Sequence, residues 1–148
     1  GSEMCIRDSD TGYRFVPDGK TGHTTMPYMM ARIVDVETAL TTVPINPEAV
    51  VMPITLTVKV TDTLCDWNTG VFALTLGDGS LPVVKRVSDS NEDEIDITVD
   101  IGGLAVLLMG VVSAKDLVFE GKLQGDSHWI EYLDMVYPKQ NTYINEWW

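Results

Sequence analysis

Cysteine and histidine are scarce in this sequence of 148 residues, which contains two of each. Cys5 and Cys65 lie far apart, and together with His23 and His128 they do not have the spacing of a zinc site. The same scarcity disfavours a Ser/His or Cys/His nucleophilic centre. We therefore expect no metal site in this chain, and a reducing, cytoplasmic environment fits the cysteine usage best.

Basic residues are also few, because 10 Lys and Arg stand against 22 Asp and Glu, which gives a formal net charge of −12. Such an acidic chain repels phosphate backbones, which argues against nucleic-acid binding. The charge permits a cationic ligand, but taken alone it is better explained by the solubility that a high net charge provides. Residues 88–94 are especially acidic, and we interpret them as a solvated surface loop.

Long apolar runs are missing as well. The longest, residues 104–112, is interrupted by Gly110 and is well short of the roughly 20 residues that cross a bilayer. We therefore expect a soluble protein with no membrane partner. A glycine-rich phosphate loop is also missing, because residues 77–79 are too short and lie between predicted strands. The chain itself is therefore not expected to bind a cofactor.

The first 26 residues show neither helical nor strand periodicity. Gly1 and Ser2 resemble a cloning remnant, and residues 3–9 resemble translated sequencing-adapter sequence. We interpret residues 1–12 as a disordered tag-like segment, residues 13–26 as a linker or loop, and residues 27–148 as a single domain. On this interpretation the natural protein extends further upstream.

Strand patterns dominate the first half of the predicted domain. Residues 29–34 are a short apolar stretch that predicts a strand, and Asp35 then caps a short amphipathic helix that ends at Pro44. Apolar residues alternate strictly with Thr and Lys over residues 54–61, which predicts a strand with one buried face. Further strands are predicted at residues 71–76, 83–87 and 95–99.

The second half is predicted to be helical. A helix begins near Asp100 and is closed by Gly110, Ser113 and Asp116 have the spacing of a capping box, and Ser127 can cap a last helix. This order of elements predicts an α+β fold: a mostly antiparallel five-stranded sheet with helices packed on one face. A doubly wound parallel sheet is not expected.

Three stretches resemble a known family. They are residues 27–37, the Asp66-Trp67-Asn68 sequence, and residues 121–148 with their Ile-Asn-Glu-Trp-Trp ending. Together they resemble the C-terminal, sterol-carrier-like domain of the enhanced intracellular survival family of GNAT-type N-acetyltransferases. The resemblance covers residues 13–148.

The resemblance implies an activity that this chain does not have alone. Proteins of that family join two GNAT-like regions to the sterol-carrier-like domain, transfer acetyl from acetyl-CoA to amines including those of aminoglycosides, and often form hexamers. The acetyl-CoA site would then lie in the upstream region. The implied partners are the upstream GNAT domains, a polycationic amine substrate and further copies of the chain as a homo-oligomer.

The resemblance also implies site residues. The terminal α-carboxylate of Trp148 would act as the catalytic general base. Three further residues are candidate substrate contacts by their position: Glu146 and Trp147 lie beside the terminus, and Met30 lies at the start of the first predicted strand, where it could line a cleft. An α-carboxyl group has a pKa of about 3.3 to 3.7, so it is an anion at neutral pH and can accept a proton from an attacking amine. The commoner family ending is phenylalanine, so Trp148 keeps the carboxylate but departs from the family in its side chain.

Each of these residues also has a structural explanation. Glu146 could be merely exposed, the two terminal tryptophans could pack on a neighbouring surface, and Met29 and Met30 could belong to the core. Arg32 is predicted to be ion-paired and His128 to be a surface residue. For the chain as a whole, a lipid carrier with an apolar tunnel and a purely structural oligomerisation domain remain alternatives.

Overall fold

A five-stranded sheet with helices against one face forms the framework of the computed structural model, which describes residues 31–77, 81–88 and 91–140. The α+β fold class predicted from the sequence is confirmed. In chain order the elements are α1 (Val36–Thr42), β1 (Ile54–Thr61), β2 (Gly70–Leu76), β3 (Val83–Val87), β4 (Ile97–Asp100), α2 (Ile101–Leu108), α3 (Ala114–Phe119), β5 (Leu123–Gly125) and α4 (Ser127–Val136). Within these residues, no helix is long and apolar enough to cross a membrane.

The strands lie in the order β3-β2-β1-β4-β5, so β3 and β5 form the two edges of the sheet. Antiparallel pairs join β1 to β2, β2 to β3 and β4 to β5. In contrast, β4 runs parallel to β1, with Ile97 opposite Val58. The sheet is therefore mixed, which corrects the prediction of a mostly antiparallel sheet.

The parallel pair arises because the chain after β3 crosses the sheet instead of turning back beside β3. β3 ends at Val87, which pairs with Val71 of β2, and Val71 in turn pairs with Lys59 of β1. β4 begins opposite Val58, the residue just before Lys59 in β1. The short connection at residues 88–96 therefore has only the width of the sheet to cover. Glu92 in this connection pairs with Lys59 at 3.8 Å. Asp93 and Glu94 beside it are exposed, as predicted for this loop, and Asp89 lies outside the described residues.

Alternation along β1 produces the buried face of the sheet. Leu56, Val58 and Val60 are buried, whereas Thr55 and Thr61 on the opposite face are exposed. The neighbouring strands and the helices complete the core with Phe72, Leu74, Leu76, Ile97, Val99, Leu40, Leu104, Leu107, Leu117 and Leu133. Because full burial of one such side chain contributes about 1.5 to 3 kcal/mol, this single face holds the domain together.

Side-chain caps set the helix starts, largely as predicted. Asp35 caps α1 and Asp100 caps α2, each by accepting a hydrogen bond from the backbone N–H three residues later. Ser113 and Asp116 make both bonds of the predicted capping box before α3. α4 is the exception: its N-cap position is taken by Asp126, one residue before the predicted cap, and the Asp126 side chain makes no capping hydrogen bond.

Two strand assignments differ from the prediction. Residues 31–34 are in no strand, because Val34 O accepts hydrogen bonds from the side chains of Asn68 and Trp67 instead of from a neighbouring strand. The fifth strand is β5, within a part of the sequence that was predicted to be helical. With three residues, β5 is too short to show an alternating pattern.

Candidate functional site

The four residues predicted to form the site lie outside the described residues. Met30 directly precedes residue 31, and Glu146, Trp147 and Trp148 follow residue 140. Their contacts with a substrate therefore stay predictions. The structure does describe the two segments that lead to them, residues 31–35 and 138–140.

The segment at residues 31–35 is anchored by a buried amide in the loop between β1 and β2. Asn68 Oδ1 accepts a hydrogen bond from Val36 N–H at 3.1 Å, and Asn68 Nδ2 donates to Val34 O at 3.1 Å and to Asp62 Oδ2 at 3.0 Å. Asn68 is fully buried, so these bonds are shielded from water. One side chain therefore joins the incoming chain, the start of α1 and the end of β1.

Asp62 is the buried charge of this cluster. Both of its carboxylate oxygens accept hydrogen bonds from Arg32 at 2.6 Å, and Oδ1 also accepts from the N–H groups of Leu64 and Cys65. The ion pair predicted for Arg32 is confirmed. Burial alone would raise the pKa of Asp62, but the hydrogen bonds from Asn68, Leu64, Arg32 and Cys65 outweigh it and hold that pKa well below its ordinary value.

The lowered pKa of Asp62 determines how the free energy of unfolding changes with pH. A carboxyl group whose pKa is lower in the folded state stabilises the fold fully above its unfolded pKa, which is near 3.8 for this residue. That contribution is lost only as the pH falls towards the lower folded value. Mild acid therefore leaves this cluster intact.

Trp67 and Arg86 extend the anchor to the surface. Trp67 Nε1 donates to Val34 O at 2.8 Å, and the Arg86 guanidinium donates to Trp67 O and, at 3.0 Å, to Thr69 O. Arg86 Cζ also lies 4.8 Å from the centre of the Phe72 ring, in a cation–π arrangement. The Asp-Trp-Asn stretch, which the sequence offered only as a resemblance, is thus a structural anchor for residues 31–35.

The segment at residues 138–140 is held by Gly110. Gln140 N–H donates to Gly110 O at 2.7 Å. Gly110 has a φ of 72°, and a Cβ atom there would lie 3.2 Å from Pro138 O, so both conformation and space favour glycine. The backbone that leads towards the predicted base is therefore fixed at least as far as Gln140.

A groove of about 390 Å³ lies beside this segment, lined by residues 43–46, 107–110, 137, 138 and 140. Its volume falls in the range of small-molecule sites. None of the lining residues is charged, however, so the groove offers no ion pair to a polycationic amine. It offers no cation to the phosphates of a coenzyme either.

The space enclosed between the sheet and the helices is much smaller. A cavity of about 20 Å³ is lined by apolar side chains and by Tyr137. This is room for about one water molecule, whereas sites for apolar ligands measure several hundred Å³. The alternative interpretation as a lipid carrier therefore gains no support from this cavity.

Two tyrosine hydroxyl groups at this core, those of Tyr132 and Tyr137, are buried and have no hydrogen-bond partner within the described part of the chain. Burial, together with the neighbouring Tyr132, raises the pKa of Tyr137 to about 12. A buried donor without a partner costs about 1 to 3 kcal/mol, because its bonds to water are not replaced. Tyr137 is therefore a site of local destabilisation in the core.

Replacing Tyr137 by phenylalanine is expected to raise the free energy of unfolding by about 1 kcal/mol at neutral pH. Because the pKa of Tyr137 is raised in the folded state, this residue does not lower the stability of the wild type below pH 10. The free energy of unfolding then falls as the pH rises towards about 12. Tyr137→Phe should remove this alkaline loss, which reaches about 2 kcal/mol at the upper end. Urea unfolding at pH 7 and pH 11 measures both effects. A variant less stable than wild type at pH 7 would mean that the hydroxyl group has a partner.

Sequence reasoning missed Asp62 and the contacts of Asn68. A weak signal was present, because Asp62 directly follows an alternating strand, and a carboxylate beside a buried face must find partners. The sequence predicted that Arg32 would be paired but did not identify its partner. His128 is exposed, as predicted, and its ring lies 5.1 Å from that of Trp129.

The mixed sheet, its single helical layer and the buried face define a sterol-carrier-like domain. The chain belongs to the sterol carrier protein domain family, whose description matches residues 36–145. No curated protein matches the chain.

Solved structures with this fold include acetyltransferases. A conserved protein of unknown function from Enterococcus faecalis, a probable N-acyltransferase, is 28% identical with a TM-score of 0.66 over 77% of this chain and 27% of that one. A GCN5-related N-acetyltransferase from Anabaena variabilis is 25% identical with a TM-score of 0.61 over 74% of this chain and 26% of that one. Eis1 from Mycobacterium abscessus shares the fold at 23% identity and a TM-score of 0.55, over 72% of this chain and 24% of that one. The chain thus spans about a quarter of the length of each.

Proposed function

We propose that this chain is the C-terminal, sterol-carrier-like domain of a GNAT-type amine N-acetyltransferase, that it forms part of the amine site, and that it is inactive alone. The observation that carries the proposal is the common fold and 28% identity with part of the probable N-acyltransferase from Enterococcus faecalis. Because the match covers only 27% of that protein, the catalytic region is assigned to the rest of a longer chain.

Acetyl-CoA is assigned to this other region. The sequence described above has no glycine-rich phosphate loop, and the groove beside residues 138–140 has no Lys or Arg in its lining. A coenzyme that carries several phosphates is normally held by backbone N–H groups at a helix start or by cations. This chain alone is therefore expected not to bind acetyl-CoA saturably.

The role of this chain in the reaction is assigned to its last residues. In the proposal the α-carboxylate of Trp148 accepts the proton that the amine loses as it attacks the thioester. Glu146, Trp147 and Met30 contact the substrate, and the negative charges near the carboxylate attract a polycationic amine such as an aminoglycoside. The support for this assignment is the rigid attachment of the preceding backbone, where Gln140 N–H is bonded to Gly110 O.

Addition of one glycine after Trp148, in a longer enzyme that ends at this residue, is expected to lower turnover about 100-fold. The added residue moves the carboxylate by one residue length, and general-base catalysis contributes about 10² to 10⁴. The measurement is the steady-state rate of acetyl transfer to an aminoglycoside with acetyl-CoA as donor. The matched variant is Trp148→Phe, which keeps the carboxylate in place and should stay within a few-fold of wild type.

Two results would contradict this proposal. Unchanged turnover after the glycine addition would remove the carboxylate from the mechanism. Saturable binding of acetyl-CoA to the 148-residue chain alone, measured by titration calorimetry, would instead show that the coenzyme site had been assigned to the wrong region.

A further inference from the structure

Three helices end at the groove beside residues 138–140. α1 ends at Thr42, α2 at Leu108 and α4 at Val136, and the lining consists of residues at and just after these ends. The C-terminal end of a helix carries a partial negative charge of roughly half an elementary charge, which resides on its last carbonyl oxygens. Three such ends make the groove electrically negative, although no lining residue is charged. We call it the helix-end groove.

No basic side chain offsets this charge within the three helices. Their last turns contain no basic residue, although a cation in that position stabilises many helices. Lys139 lies between two lining residues, but it is exposed and is not part of the lining. The negative helix ends therefore remain available to a ligand.

The backbone of the lining offers many acceptors and few donors. Pro44 and Pro138 have no N–H group. Most of the other N–H groups outside the helices already donate to backbone carbonyls: those of Val43, Asn46, Met109, Gly110, Tyr137 and Gln140. Conversely, among the described residues no backbone N–H donates to the carbonyl oxygens of residues 43–45, 108, 109, 137 and 138. The groove therefore selects a ligand that donates hydrogen bonds.

The lining also contains an unpaired hydroxyl group and apolar side chains. Tyr137 is only 4% exposed, and its hydroxyl group has no hydrogen-bond partner within the described part of the chain. The oxygen of that group is a further acceptor for a donor that enters the groove. The apolar side chains are those of Val43, Ile45, Leu107, Leu108 and Met109. The groove thus suits a donor that is attached to an apolar body.

We infer that the helix-end groove binds a primary ammonium ion with a short apolar body. The ammonium group has three N–H donors for the carbonyl oxygens at the helix ends, and its positive charge complements theirs. The same oxygens repel a carboxylate or a phosphate. The volume of about 390 Å³ accommodates a ligand of this kind. All lining residues lie within the compact unit at residues 31–141, so the inference goes beyond the proposed function and does not depend on it.

A series of matched ligands tests the inference on the 148-residue chain. Hexylammonium, titrated at pH 7 and low ionic strength, should shift the NMR signals of the amides of residues 107–110, 137 and 140, and the shifts should saturate at millimolar concentrations. Hexyltrimethylammonium has the same charge and the same chain but no N–H donor, so it should bind about tenfold more weakly. Hexanoate should cause no saturable shift at these residues.

Three results of the ligand series would overturn the inference. Equal affinity for the two hexyl cations would mean that only the net charge of the protein attracts them. Saturable shifts with potassium ions at the same concentrations would identify a metal-ion site instead. Binding of hexanoate, or no binding of hexylammonium, would contradict the assigned sign of the charge.

A set of single variants tests the position of the site. Met109 follows the last residue of α2 and is 43% exposed, so Met109→Lys places a tethered ammonium group at the groove and should weaken hexylammonium binding at least about tenfold. Met109→Gln keeps a side chain of similar length without the charge and should stay within about threefold of wild type. Met52 is 68% exposed and is not part of the lining, so Met52→Lys is the matched control and should leave the affinity unchanged.

Thermal unfolding of the same variants provides a second measurement. Met109→Lys should unfold at a higher temperature than Met109→Gln, because its tethered cation supplies the charge that the helix ends lack. Wild-type affinity in Met109→Lys, or an equal loss of affinity in Met52→Lys, would overturn the inference.

Discussion

Replacement of Asn68 by alanine is expected to lower the free energy of unfolding by about 3 to 5 kcal/mol, a large part of the stability of a domain of this size. Asn68 is fully buried, and the substitution leaves Val36 N–H without the partner that replaced water and leaves Val34 O with only the Trp67 indole N–H as a donor. It also removes one of the hydrogen bonds that keep the buried Asp62 carboxylate ionised. Urea unfolding followed by circular dichroism measures the loss.

Asn46→Ala is the matched control for this prediction. Asn46 caps a single turn of 3₁₀-helix at Pro47–Ala49 and, like Asn68, donates to a backbone carbonyl, that of Met135, but it is only partly buried. Its removal should cost about 1 kcal/mol, the usual value for an N-cap. If both substitutions cost the same, the cluster around Asn68 is no more than an ordinary cap.

Asn68→Asp separates hydrogen bonding from shape. The variant keeps an oxygen for Val36 N–H but replaces the donor to Asp62 by a second carboxylate, where the wild-type distance between the interacting atoms is 3.0 Å. Like charges so close in a buried site oppose each other. The variant should therefore be less stable at pH 7 than at a pH at which one of the two carboxyl groups is protonated. A pH-independent loss would contradict this account of the cluster.

Phe72→Ala is expected to cost about 3 to 5 kcal/mol, because it opens a cavity under the centre of the sheet. Phe72 is completely buried on β2, and the Arg86 guanidinium lies over its ring. Arg86 also donates a hydrogen bond to Trp67 O and so holds the loop that contains Trp67. The loss should therefore appear in two measurements. The free energy of unfolding falls, and hydrogen exchange at residues 66–69 becomes faster than in wild type.

Phe119→Ala is the control for the Phe72 prediction. Phe119 ends α3 with 93% of its surface exposed, so its removal should change stability by less than about 0.5 kcal/mol. If the two alanine variants unfold at similar urea concentrations, the core does not lie where the structure has it.

Local patterns explain which parts of the fold could be predicted. Strand β1 was recognised because its apolar residues alternate over eight positions, and a period of two is characteristic of a half-buried strand. The capping box at Ser113 and Asp116 was recognised because both of its hydrogen bonds join residues three positions apart. Information of this kind lies within a few residues of sequence.

Long-range pairings explain what could not be predicted. The parallel register of β4 with β1 depends on where the connection at residues 88–96 crosses, and no periodicity encodes that choice. The same holds for the Asp62 carboxylate, whose partner Arg32 lies thirty residues earlier in the chain. The residues proposed for catalysis came from family resemblance, because a terminal carboxylate has no distinguishing pattern of its own.

The edges of the sheet bear on how the domain behaves at high concentration. β3 presents Lys85 and Arg86 along its five residues, and β5 offers only three residues for pairing. Charged or very short edge strands are poor templates for a further strand, which is how many β proteins avoid joining edge to edge. At high concentration the sheet of this domain is therefore expected to be a poor seed for fibrils.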